Sequence, residues 1–105
     1  MSETPRLPNL ADARVALEAA EQLVSQALAR ATEITARGER IDDHQVLAER
    51  VAYAATEARA ARELVAAVTA ARAAGQGDAL FEALAAASAA ELATSIRDRL
   101  SPALT

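Results

Sequence analysis

The chain has 105 residues, long enough for one domain, and 15 acidic against 11 basic side chains give it a net charge of −4. The bases are dispersed, which argues against nucleic acid as a partner, because phosphate binding needs a clustered basic face. Cysteine is absent, and this excludes a disulfide framework and thiolate chemistry. With neither a signal peptide nor an uncharged apolar run of roughly 20 residues, we expect a cytoplasmic chain without a membrane partner.

The first helix is predicted over about residues 10–37. It follows a lead, residues 1–8, which contains two prolines and is expected to be disordered. Asn9 suits the N-cap, and Gly38 suits the residue that ends the helix. The apolar positions step by three and four residues and so share one face. They are Leu10, Ala13, Leu17, Ala20, Val24, Ala27, Ala31 and Ile34.

The second helix, over about residues 43–74, organises the chain, because this stretch contains neither glycine nor proline. Asp42 or Asp43 suits its N-cap, next to the positive end of the helix dipole. A short linker makes it antiparallel to the first helix, and alanine on both facing stripes lets the backbones approach closely. Its apolar positions recur about every 3.5 residues. They are Leu47, Val51, Ala54, Ala58, Ala61, Val65 and Val68.

The second half of this helix is apolar nearly all round, so either it is wrapped on two sides or it carries a docking surface. The candidate docking residues are Ala60, Leu64, Ala67 and Ala71. An exposed apolar patch of several hundred Å² is unusual for a monomer. We therefore expect this surface, with the segment that follows, to bind a partner or a second copy.

The third segment begins after Gly75–Gln76–Gly77, with Asp78 as its N-cap. Its large aliphatic residues fall on multiples of four, a row that drifts by roughly 200° around one straight helix. These residues are Leu80, Leu84, Leu92, Ile96 and Leu100. Since Ser88 and Glu91 have the spacing of a capping box, we expect a break, with helices at about residues 79–87 and 89–100. Ser101–Pro102 would end the second of them.

The predicted fold is all-α, an antiparallel hairpin of long helices plus a broken third segment, within a single domain over residues 9–105. Catalytic candidates are few. His44, the only histidine, has no second ligand at helical spacing, and Asp42 and Asp43 are explained by capping. Gly75–Gln76–Gly77 is too short for a phosphate loop. We interpret Tyr53 as an inter-helix hydrogen-bonding contact, and we expect no catalytic, cofactor-binding or metal-binding residue in this chain.

One stretch carries a family resemblance: Gly38 to Ala67, GERIDDHQVLAERVAYAATEARAARELVAA. The features are an alanine-rich first helix, a turn with Gly38, Arg40 and Asp42, and a second helix of His and Ala-Tyr-Ala character. In these the chain resembles the helical N-terminal extension of acyl-CoA dehydrogenases of the methylsuccinyl-CoA dehydrogenase type. The resemblance implies a cytoplasmic flavoprotein that uses FAD to oxidise an acyl-CoA thioester at its α,β carbons. None of the family's catalytic or flavin-contacting motifs can be placed on this sequence.

Two functions follow as expectations. The first is a non-catalytic helical domain that packs on, or is part of, an acyl-CoA dehydrogenase-like enzyme, with FAD held by the parent enzyme. The alternative is a free-standing helical interaction or oligomerisation module with no enzymatic parent. The coding sequence after Thr105 discriminates between them.

Overall fold

The computed structural model describes residues 9–35 and 44–104. In these ranges three helices, α1 (Leu10–Ile34), α2 (Gln45–Ala73) and α3 (Ala79–Leu100), precede a short 3₁₀ helix at Ser101–Leu104, and no strand is present. The all-α fold class is confirmed. All three pairs of helices are in contact, so the described part of the chain is a three-helix bundle.

Side-chain contacts fix the helix directions. Arg14 near the start of α1 bonds to Thr69 near the end of α2, and Glu57 on α2 accepts a hydrogen bond from Ser95 late in α3. The helix α2 therefore runs antiparallel to both neighbours, and the predicted hairpin of α1 and α2 is confirmed.

The core consists of two clusters stacked along the bundle. One cluster joins the start of α1 to the end of α2 and the first half of α3, and consists of Leu10, Ala13, Leu17, Ala61, Val65, Val68, Ala85, Ala86 and Ala89. The other lies towards the opposite end and consists of Ala20, Val24, Ala27, Val51, Ala54, Ala58, Ala93, Ile96 and Leu100. The stripes predicted for α1 and α2 supply these positions, while Ala31, Ile34 and Leu47 at the helix ends are half-buried.

Two predicted N-caps and one predicted helix end are present. The side chain of Asn9 accepts a hydrogen bond from Asp12 N at 2.8 Å, and that of Asp78 accepts one from Phe81 N at 3.0 Å. After α2, Gly75 N bonds to Arg72 O and Gln76 N to Ala71 O, at 3.1 and 2.8 Å. This is the Schellman pattern, and its left-handed residue is Gly75, with φ of +75°.

The predicted break in the third segment is wrong. Residues 79–100 form one continuous helix, and Ser88 lies exposed within it, so Ser88 and Glu91 do not form a capping box. The drift of the aliphatic row around the helix is real, but the helix accommodates it by leaving the first two leucines in solvent. A second helix end at this point would leave backbone N–H and C=O groups without the hydrogen bonds that a continuous helix gives them.

Other predicted boundaries differ or lie outside the described residues. The described part of α1 ends at Ile34, and α2 begins at Gln45 with His44 in the N-cap position, where its side chain makes no capping hydrogen bond. Gly38, the candidate caps Asp42 and Asp43, and the lead at residues 1–8 are outside the described residues.

Among the described residues α3 is the one helix long and apolar enough to cross a membrane by length and composition, with a mean hydropathy of 1.3 over its most apolar window. This is weak evidence for a membrane span, because core helices of soluble proteins pass the same test. In this chain α3 supplies buried residues to both core clusters.

Candidate functional site

A groove runs between α2 and the second half of α3. It is open and has a volume of about 700 Å³. Its lining is mainly polar and consists of Arg50, Glu91, Thr94, Ser95, Asp98, Arg99 and Pro102.

Glu57 holds together the polar groups beside this groove. One carboxylate oxygen accepts a hydrogen bond from the Ser95 hydroxyl at 3.1 Å, and the other pairs with the Arg99 guanidinium. The same guanidinium lies over the Tyr53 ring, with its carbon 5.0 Å from the ring centroid, a cation–π contact. Both carboxylate oxygens are engaged, so Glu57 is a tether between α2 and α3 and not a free base.

A second polar connection joins α1 to α2. Arg62 donates from Nε to Glu21 at 3.0 Å and from a terminal nitrogen to the other oxygen of the same carboxylate, which is the bidentate geometry that suits arginine. The hydrogen bond that Arg62 donates to Glu21 raises the pKa of Arg62, so the guanidinium stays protonated at any physiological pH. About a third or more of each side chain is exposed, so the pair contributes little to stability.

The described residues do not form a catalytic constellation. No group of three or more His, Asp or Glu residues is placed to hold a metal ion in residues 9–35 and 44–104. His44 is half-buried at the start of α2, and Tyr53 is two-thirds exposed. The predicted inter-helix hydrogen bond of Tyr53 is not found in the described part of the chain, where its contact with α3 is the cation–π contact to Arg99.

The four predicted docking residues line one flank of α2, which we call the α2 shelf: Ala60, Leu64, Ala67 and Ala71. Ala60 and Ala67 are exposed, whereas Ala71 is half-buried and Leu64 packs partly against the first core cluster. The shelf is therefore a surface of alanines with one partly buried leucine among them. The structure shows where these residues lie and leaves their docking role a prediction.

The largest exposed apolar side chains near the shelf belong to α3. We call Leu80, Phe81 and Leu84 the α3 patch; they are 70%, 53% and 57% exposed. The sequence analysis placed both leucines in a row of large aliphatic residues and expected the third segment to take part in binding, but it did not single them out as exposed residues. The four-residue spacing could have indicated this exposure. Because the row drifts around the helix, Leu80 and Leu84 cannot face the core when Leu100 at the other end does.

The chain matches the model of a known protein family. A model described as acyl-CoA dehydrogenase, C-terminal domain, matches residues 10–101. The resemblance found in the sequence pointed to the same family but to its N-terminal extension, and the methylsuccinyl-CoA dehydrogenase subtype stays a prediction. No curated protein and no solved structure matches the chain significantly. Because the match spans nearly the whole chain, the chain belongs to the acyl-CoA dehydrogenase family and corresponds to its helical C-terminal domain.

Proposed function

We propose that this chain is a non-catalytic helical domain that packs on the FAD-binding part of an acyl-CoA dehydrogenase-like enzyme. The observation that supports this proposal is the family match over residues 10–101, which takes in all three helices. The family uses FAD, and in this proposal the flavin and the acyl-CoA thioester are held by the rest of the enzyme.

The non-catalytic part of the proposal is supported by how the carboxylates are used. Oxidation of an acyl-CoA needs a positioned base that removes a proton next to the thioester carbonyl. Glu21, Glu57 and Glu82 each pair with an arginine, and Asp78 caps α3. Each of these carboxylates is thus held in a contact within the bundle.

Binding of FAD also needs features that the described residues do not combine. A dinucleotide is held by backbone amides at a glycine-rich loop or helix N-terminus and by a pocket around the flavin ring. The N-termini of α1 and α3 are already occupied by the side chains of Asn9 and Asp78. We therefore assign the domain a structural role beside the active site, where a docked helical bundle shapes the acyl pocket or excludes water from it.

Two measurements test the proposal. The purified 105-residue chain should release no FAD on denaturation, and a tagged chain isolated from its native host should carry an acyl-CoA dehydrogenase identified by mass spectrometry. That complex should contain FAD and reduce a dye when an acyl-CoA is added. If the coding sequence continues after Thr105 into dehydrogenase domains, the same assays apply to the longer protein.

Other outcomes would contradict one part each. Near-stoichiometric FAD on the chain alone would refute the non-catalytic role. A reading frame that ends at Thr105, with no dehydrogenase in the isolated complex, would favour the alternative of a free-standing interaction module. The exposed α3 patch is the observation that favours this second candidate.

A further inference from the structure

We draw no further inference here: the strongest candidate, the open polar groove between α2 and the second half of α3, carries nothing, because its exposed charges are of both signs, Arg99 is already held by Glu57 and Tyr53, and nothing in the structure shows what covers it.

Discussion

The two halves of α3 use the same kinds of residue in opposite ways. In the second half the large side chains Ile96 and Leu100 are fully buried, whereas in the first half Leu80 and Leu84 are exposed and alanines fill the core. Both halves belong to one continuous helix. The side chains at multiples of four rotate steadily away from the core as the helix is followed back towards Asp78.

This difference shows which residues set the rotation of α3. A straight helix can turn only one face inward, and turning Leu80 and Leu84 to the core would expose Ile96 and Leu100. The alanines at 85, 86, 89 and 93 share the face of Ile96 and Leu100, and they allow close contact with both other helices. That contiguous stripe determines the orientation, and the leucines near the start of the helix remain exposed.

The largest expected effect comes from truncating a large residue in the second half of α3, and the control is the matching truncation of a large residue in the first half. Ile96→Ala should destabilise the chain by about 2–5 kcal/mol, because it leaves a cavity in the second core cluster. Leu84→Ala should change the free energy of unfolding by less than about 0.5 kcal/mol in the monomer. Urea denaturation at a concentration where the chain is monomeric measures both, and similar losses would show that Leu84 is buried.

Enlarging an alanine sharpens the comparison within the first half. Ala86→Leu should destabilise by about 1–3 kcal/mol, because the site is fully buried between the other helices and has no room for three more carbons. Its neighbour Ala87 is exposed, and Ala87→Leu serves as the control with no expected loss. If Ala86→Leu stabilised the chain, the first half of α3 would have to be loosely packed.

The smallest expected effect concerns the N-cap of the first half. Asp78→Ala should cost about 1 kcal/mol and speed amide exchange in the first turn of α3, while exchange in the second half follows global unfolding. Ser88→Ala, in the middle of the helix, should cost less than Asp78→Ala. A larger loss of stability for Ser88→Ala than for Asp78→Ala would indicate that Ser88 caps a helix and that α3 is broken there, contrary to the structure.

Most of the fold could be predicted from the sequence. The heptad-like stripes of α1 and α2 define their buried faces, and Asn9, Gly75 and Asp78 mark helix ends through local hydrogen bonds. Polar contacts between helices were not predictable in the same way. The tether formed by Glu57, Ser95 and Arg99 joins residues about 40 positions apart, and only the register of the packed helices brings these side chains together.

By itself the sequence determined the fold class and the apolar stripes of α1 and α2, because helix periodicity and capping are properties of neighbouring residues. Its resemblance to the acyl-CoA dehydrogenase family is confirmed by the family match. Only the tertiary structure decided that α3 is continuous and which of its leucines are exposed. A four-residue repeat is compatible with either a break or a rotation. The choice depends on free energy gained across the bundle, where one unbroken stripe of alanine, Ile96 and Leu100 packs against two helices at once.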